Sequence, residues 1–441
     1  MKNKHLFLTL LAILLIPRVG EAGELLNKHL PDWLRLDLQF RHRYQYKKNV
    51  DFNDANDDDK GYQLYRTRLN VTLLPYDGLK FFYQLQDARI SHDSKAVTTK
   101  FQDFADTRQL WVQGQLKDLN VGALTGVGVR FGRQELSYGA ERLLGGFNWS
   151  NIAQTFDAGK VMFGFDDLKL NVDFFAGTKT PNKAPREADD LYDGSTHDLL
   201  AGYYATYKGI QNMVVEQYLL NRKTNKDVSF GPTGAGEIED YTFGFRVKGK
   251  VPDSAVDYEL EFARQIGNHN SLDVNAQMAV AIVGYTFKHD WKPRAAFEFD
   301  YGSGDNDSSD NERRTFDNLF PTNHMHYGYM DFVSLQNINN YRFQLSAKPM
   351  KKLKVQADVH LIYLDTPKDD LYSAGRATKR ATKPNASTHV GNEIDLKAAY
   401  KICPNANMLL GYSHFFAGNF LEDTGTADDA DYLYVQTVLN F

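Results

Sequence analysis

The sequence predicts an all-β chain: a transmembrane, up-and-down antiparallel β-barrel of eighteen strands. Three observations carry this. Long runs alternate apolar and polar side chains, the connections between runs alternate between short and long, and the chain closes on an amphipathic run ending in Phe441.

The first run sets the pattern. From Leu34 to Tyr46 the even positions read Leu34, Leu36, Leu38, Phe40, His42, Tyr44 and Tyr46, and the odd ones read Arg35, Asp37, Gln39, Arg41, Arg43 and Gln45. Successive side chains of a strand point to opposite faces, so this run has one greasy face and one wet face. A helix would instead cluster its apolar residues three and four apart. The same rhythm returns at Tyr241–Lys248, Asn340–Ala347, Leu353–Leu361 and Glu393–Tyr400. In order, strands are predicted near 33–46, 62–74, 79–89, 107–116, 121–133, 156–165, 168–177, 198–208, 213–221, 240–249, 256–266, 276–287, 294–304, 338–348, 353–363, 391–401, 407–417 and 431–441. Because 79–89, 198–208 and 213–221 alternate poorly, sixteen strands is the alternative.

The links sort by parity. After even-numbered strands they are short, as at Leu74–Gly78, Lys117–Asn120, Asp166-Asp167, Gly209–Asn212, Pro349–Lys352 and Ile402–Ala406. After odd-numbered strands most are long, polar and acidic, as at Lys47–Gly61, Pro181–His197, Asp305–Asn337 and Asp365–Thr388. An outer-membrane barrel has this asymmetry, with turns on the periplasmic side and loops outside the cell. A sandwich has no reason for it.

The N-terminus reads as a secretory signal peptide over residues 1–22, leaving residues 23–441 as the barrel. Lys2 and Lys4 precede an apolar run from Leu6 to Ile16, and Gly20-Glu21-Ala22 supplies small residues for cleavage. Eleven apolar residues are too few to span a bilayer as a helix. Losing Lys2, Lys4, Arg18 and Glu21 moves the net charge from −5 to about −7, which suits no nucleic acid partner. With one cysteine, Cys403, no internal disulfide is expected. Abundant Tyr (25) and Phe (29) in a chain of negative mean hydropathy fit a wall half facing lipid and half facing water. Integral residence in the outer membrane follows, in contact with its lipid and lipopolysaccharide. Phe441, closing Leu433, Val435, Thr437 and Leu439 on one face, resembles the address read by the barrel assembly machinery. A barrel of this width leaves an aqueous channel, so a conduit is the expected function.

The run Gly132-Arg133-Gln134-Glu135-Leu136-Ser137-Tyr138-Gly139, followed by Arg142-Leu143 and Thr155-Phe156-Asp157-Ala158, resembles the alginate export family of outer-membrane porins. So do Phe299–Asp305, Phe316–His324, Tyr327–Asp331 and Gln336-Asn337-Ile338. The likeness spans most of the mature chain. It implies an eighteen-stranded barrel exporting an anionic polyuronate through an arginine-rich lumen, with periplasmic export partners. One departure is the short Ile402–Ala406 link, where the family's alginate exporter has an extended periplasmic turn.

Alternation sends Arg35, Arg41, Arg43, Arg66, Arg68, Arg130, Arg246 and Arg342 into the lumen, while Arg108 and Arg133 sit beside strand ends. Together with Arg142 in the loop after the fifth strand, all but Arg35 are the candidate solute-binding residues. Guanidinium suits a carboxylated sugar because its planar fork meets a carboxylate with two hydrogen bonds and stays charged. The solute is accordingly an anionic polysaccharide, exported, or a small anionic solute taken up by a general or specific porin. Asp37, Glu259, Glu261, Glu298, Asp300, Asp358, Glu393 and Asp395 are also expected inward and would neutralise some of these arginines. The aromatic loop from Asp305 to Asn337 is expected to fold inward as a constriction.

No cofactor and no metal are expected. Asp51, Asp54, Asp57, Asp58 and Asp59, and Asp305, Asp307, Asp310 and Glu312, offer oxygen ligands without EF-hand spacing. His324 and His326 lack a third partner spaced for zinc. An enzyme is disfavoured: Gly-x-Ser-x-Gly is absent, and Ser413 and His414 point to opposite faces. A surface adhesin acting through its long loops is the remaining rival, and single-channel conductance separates it from a conduit.

Overall fold

A computed structural model describes residues 27–56, 59–91, 101–119, 121–181 and 198–441. The proposed signal peptide, Asp57 and Asp58 lie outside these residues.

Among the described residues eighteen strands build the barrel, in chain order, with a few two- and three-residue strands in the loops besides: β1 (Leu34–Lys48), β2 (Lys60–Tyr76), β3 (Leu79–Ser91), β4 (Asp103–Leu116), β5 (Gly126–Gln134), β6 (Phe156–Phe165), β7 (Leu170–Lys179), β8 (Asp198–Tyr207), β9 (Met213–Thr224), β10 (Ile238–Lys250), β11 (Val256–His269), β12 (Leu272–Thr286), β13 (Arg294–Gly302), β14 (Ile338–Met350), β15 (Leu353–Tyr363), β16 (His389–Cys403), β17 (Ala406–Ala417) and β18 (Ala430–Asn440). Each pairs antiparallel with its neighbour in sequence, and β18 pairs with β1, so the sheet closes. Closure is what hydrocarbon demands, since an unpaired edge would leave backbone N–H and C=O groups without partners. The last residue completes the seam: the Phe441 amide donates to Leu38 O, and the Leu38 amide donates to Phe441 O.

The outward set is greasy, with Phe131, Phe343 and Leu345 exposed on the wall, and Trp33, Tyr76, Trp291 and Tyr400 near the short turns. Large aromatics at that level match the interfacial girdle of membrane barrels. The two ends differ as the parity of the links predicts. At one end sit tight turns such as Asp77-Gly78, Lys351-Lys352 and Pro404-Asn405, and at the other the connections 135–155, 303–337 and 364–388. One link breaks the pattern: β11 and β12 join at the loop end through Asn270-Ser271 alone. The fifth strand begins at Gly126 rather than 121, because Val121–Leu124 turns on Gly122 at positive φ and bridges to itself.

The three weakly alternating segments are genuine strands, so the alternative of sixteen is excluded. In β8 and β9 the inward residues include Leu200, Tyr204, Tyr218 and Leu220, all buried. They face protein inside the barrel, not water. That interior material comes from connections 135–155 and 303–337, whose Leu136, Leu143, Leu144, Phe316, Leu319 and Phe320 join one core with the wall.

Gly132 is a point of forced backbone. It sits at φ +121, and a Cβ there would lie 2.2 Å from Leu110 O and 2.9 Å from Trp111 Cα across the β4–β5 ladder. Gly132→Ala is expected to cost roughly 1–3 kcal/mol and to lower the temperature at which the barrel loses its folded mobility on gels. A wild-type transition would show that the ladder yields without strain.

Candidate functional site

The inward positions of β1, β2 and β4 carry a basic wall. Arg41 pairs across the ladder with Arg66, and Arg68 lies opposite Gln39 and Gln86. Arg41, Arg43, Arg66, Arg68 and Arg108 are all buried, and what buries them is a loop. Connection 135–155 enters the lumen and lays the backbone of Asn148–Ser150 over them. Arg41 donates to Asn148 O at 2.8 Å, Ser150 O at 3.0 Å and Asn151 Oδ1 at 3.0 Å. Arg43 donates to Trp149 O at 2.8 Å and stacks on the Trp149 ring at 3.8 Å. Arg66 reaches Asn148 O at 3.1 Å, and Arg68 reaches Asn148 Oδ1 and Gln86 Oε1, each at 2.8 Å. Arg108 donates to Gln84 Oε1 at 2.6 Å and to Glu135. Among the described residues, Arg41, Arg43, Arg66 and Arg68 form no ion pair with a carboxylate. The hydrogen bonds of these four guanidinium groups therefore all go to neutral carbonyl and amide oxygens.

The facing wall is acidic. Glu216 on β9, Glu259 and Glu261 on β11, Glu298 and Asp300 on β13, Asp358 on β15, and Glu393 and Asp395 on β16 are buried inward. The same loop that caps the basic wall sends Arg142 into this one. Arg142 meets Glu259 at 2.7 Å, Glu298 at 2.9 Å and Glu261 at 3.4 Å, with Asp300 at 4.0 Å. These carboxylates hold its guanidinium well above its ordinary pKa against the opposing effect of burial. Arg246 pairs with Glu216 at 2.5 Å and Glu259 at 3.0 Å, and Arg342 with Glu298 at 3.1 Å and Asp358 at 3.0 Å.

Connection 303–337 locks the plug. The amide of Phe320 donates to Leu143 O, that of Gly145 donates to Phe320 O, and that of Thr322 donates to Glu141 O. The His324 ring stacks on Trp149 at 3.9 Å and 9°, on a short 3-10 turn (Asn323–Met325). Two loops thus form one body across the channel, touching both charged walls.

The ten candidate arginines separate cleanly. Arg41, Arg43, Arg66, Arg68 and Arg108 converge. Arg142, Arg246 and Arg342 are neutralised by carboxylates. Arg130 stays on the wall toward the turn end, donating to Gln113 and stacking on Trp111 at 4.1 Å. Arg133 departs from expectation: its register partners are Leu110 and Asp157, so it shares the outward face of the exposed Leu110 and pairs with Asp157 at 2.9 Å. Position 133 is three residues from inward Arg130 in an unbroken register, so alternation carries it to the other side. Arg35 is an exposed partner of Asp37 at the mouth. Sequence reasoning missed Asn148–Asn151, whose Trp149 in a Gly-Gly-rich polar loop was the available signal. It also missed Arg222, Arg313 and Arg376, which pair with Asp198, Asp240 and Asp317. The acidic cluster around Asp305 is partly neutralised, because Arg314 meets Asp310 at 2.7 Å and Glu312 at 2.8 Å. Ser413 and His414 stand apart, the first on Asp395 and the second on Asp431.

Two titratable groups in the plug respond to acid. Burial, aided by Arg142 and Arg342 and opposed by Glu259, holds His326 well below the usual 6.5. Burial lowers His324 despite Asp331 at 2.9 Å. Both are neutral when packed, so their contribution is complete above pH 6.5. It is lost below it, at up to about 1.4 kcal/mol per unit for each ring. Asp369, bonded by Thr315, Tyr372 and the Asp305 amide, runs the other way. Burial lifts it to about 6, so its contact weakens as pH rises through that value. Channel current is expected to grow between pH 7.5 and 5.0 in the wild type, and in H324Q/H326Q to lose that growth and fall slightly as Asp369 takes up its proton. Equal growth in both would remove the histidines from the plug's stability.

Comparison with solved structures supports the fold. The barrel is similar to Acinetobacter baumannii OccAB1 (10% identity, TM-score 0.61, covering 93% of this chain and 97% of that one). It is also similar to Pseudomonas aeruginosa OprD (11%, 0.60, 92% and 93%) and to Pseudomonas aeruginosa OccK5 (12%, 0.59, 92% and 98%). No curated protein matches by sequence. The closed barrel is integral to the outer membrane. The sequence model for alginate export matches residues 32–435, from before β1 into β18, and the chain belongs to the alginate export family.

Proposed function

We propose that this outer-membrane channel exports an anionic, alginate-like polyuronate along its basic wall, with the short turns in the periplasm and the long loops outside. One observation carries the reading: Arg41, Arg43, Arg66 and Arg68 are capped by neutral oxygens of Asn148–Asn151. A uronate carboxylate offers the same acceptor geometry with a full charge, and charge-assisted bonds are roughly twice as strong as neutral ones. Solute entering as the plug withdraws would therefore exchange places with the loop backbone. Several such sites in series let a polyanion slide where one strong site would hold it. Arg142, Arg246 and Arg342, already bonded to carboxylates, hold the plug and wall together in this reading. Family membership supports the polyuronate.

A second reading, uptake of a small anionic solute, draws on the two inward loops that meet across the channel. Residues 1–22 as a leader, Phe441 as an assembly address and periplasmic export partners belong to the same proposal. Liposome swelling with uronate oligomers against neutral sugars of equal size tests it. Faster swelling with the uronates is expected. A preference for neutral sugars counts against both readings, and passage of monomers alone favours the second.

A further inference from the structure

On the lumen side of β14–β16 the charge changes sign toward the short turns. Inward Glu393 and Asp395 on β16 give way to Lys397 and Lys401, and inward Asp358 on β15 gives way to Lys354. On β14, inward Arg342 is followed by Gln344, Ser346 and Lys348. The alternate positions carry Leu345, Leu396 and Tyr400, all large and exposed to lipid, so the four lysines stand on the water side of the wall. The register sets Lys354 opposite Ala399, with Lys397 and Lys401 as its diagonal neighbours, and such neighbours lie roughly 7–8 Å apart. Lys348, Lys354 and Lys401 line one hollow of about 240 Å³ at the mouth, together with Asn407.

The strands of this arc supply nothing to neutralise it. Between Asp331 and Asp358, and again between Asp395 and Glu422, the chain has no Asp or Glu. Lys348, Lys354 and Lys401 are exposed, and among the described residues neither they nor Lys397 pairs with a carboxylate. Other charges at this end are matched: Lys248 on β10 lies 3.8 Å from Glu259, Arg294 holds Asp257 at 2.5 Å, and Arg35 holds Asp37 at 2.8 Å. Lys397 is the innermost of the four and touches the plug. Its ammonium donates to the Tyr329 hydroxyl and lies 4.7 Å from the centre of that ring. The Tyr329 ring is 5.1 Å from His324, His324 stacks on Trp149, and Trp149 covers Arg43. The arc thus begins in bulk water and ends on the body that caps the basic wall.

We propose that this lysine arc is the entry site for the polyanion, capturing its leading end below the plug and passing it to Lys397. The proposal rests on the export reading, which puts the short turns in the periplasm and makes the solute a polyuronate. A cleft lined by one sign of charge between low-dielectric walls concentrates the opposite charge and raises association rates by roughly 10- to 1,000-fold. Ammonium groups suit a transient hold, because each is a compact, strongly hydrated charge without the guanidinium fork. A carboxylate that reaches Lys397 competes with the Tyr329 hydroxyl for the same ammonium, and the charge-assisted bond is the stronger. Occupancy therefore loosens the plug at its underside.

Single-channel recording of the full-length protein in planar bilayers tests this, with a uronate hexasaccharide added to one chamber at a time. The sugar is expected to associate at least tenfold faster from one side, and to raise the opening frequency from that side only. Lys348→Gln/Lys354→Gln/Lys401→Gln should bring the two rates within about twofold by slowing the fast side alone. Lys397→Gln should keep the asymmetry and lose the sugar-dependent opening. Lys354→Gln by itself should slow the fast side part-way, which serves if the triple variant does not fold. Equal rates from both sides in the wild type, or a fast side indifferent to the lysine changes, would overturn the arc and leave the reading of the basic wall standing. Tripolyphosphate captured by the lysines with no capture of the uronate would uphold the arc as an anion site and overturn uronate export.

Discussion

Arg142→Ala is expected to turn a plugged channel into one that stays open for long periods while the barrel remains folded. The Arg142 side chain is 1% exposed and serves Glu259, Glu261 and Glu298 at once. Removing one member of such a buried set leaves the others uncompensated, typically at about 3–5 kcal/mol. The loss falls on the plug rather than on the wall. Arg246 still neutralises Glu216 and Glu259, Arg342 still neutralises Glu298 and Asp358, and no ladder hydrogen bond is touched. At about 1.4 kcal/mol per tenfold, the released population rises by between about 10² and 10⁴. Planar-bilayer recordings should show larger and longer openings, with the heat-modifiable gel mobility of the native barrel retained. Arg142→Lys should fall between, since an ammonium keeps the charge without the fork. Wild-type current traces from Arg142→Ala would mean that the Phe320 and Asn148–Asn151 contacts hold the plug alone.

How far the sequence reveals this architecture depends on what each strand faces. Where one side meets lipid and the other water, as in β1 or β15, the side-chain rhythm is plain and even the facing of Arg41 and Arg43 can be read. Where the inside meets the plug, Leu200, Tyr204, Tyr218 and Leu220 are apolar on both sides of the wall and the rhythm fades, although the strands are regular. The contrast is physical: alternation reports a change of solvent, and the plug removes the water. The inward course of 303–337 was legible from its aromatics, because so many rings in one connection need a surface to cover. The meeting of its Phe320 with Leu143–Gly145 was not, since that contact is a backbone pairing without side-chain signature. Nor did the sequence separate the arginines with carboxylate partners from those without. Arg342 and Arg41 occupy the same kind of position, and only the register, which sets Glu298 opposite Arg342 and Arg66 opposite Arg41, tells them apart.

That separation supports the second large effect, expected for Arg41→Gln/Arg66→Gln/Arg68→Gln. These three guanidinium groups donate to the loop's carbonyl oxygen and amide oxygen atoms, and among the described residues they leave no carboxylate bare when removed. Their loss therefore subtracts positive charge from the path without adding a compensating protonation on the wall. Anion preference, read as the reversal potential in a salt gradient, should collapse toward neutrality. Block of the current by a uronate trisaccharide should weaken at least tenfold, about 1.4 kcal/mol, and lose most of its dependence on salt. A neutral trisaccharide should be indifferent to the change. Arg342→Gln makes the informative contrast: it takes the arginine from Asp358 and leaves Glu298 to Arg142 alone, so selectivity should move less while the plug loosens. Arg35→Gln, at an exposed pair with Asp37 away from the loop, should do neither. If the triple variant keeps full anion preference and uronate block while Arg342→Gln abolishes them, the solute is being read by the acidic wall and its arginines, and the basic wall serves only to seat Asn148–Asn151.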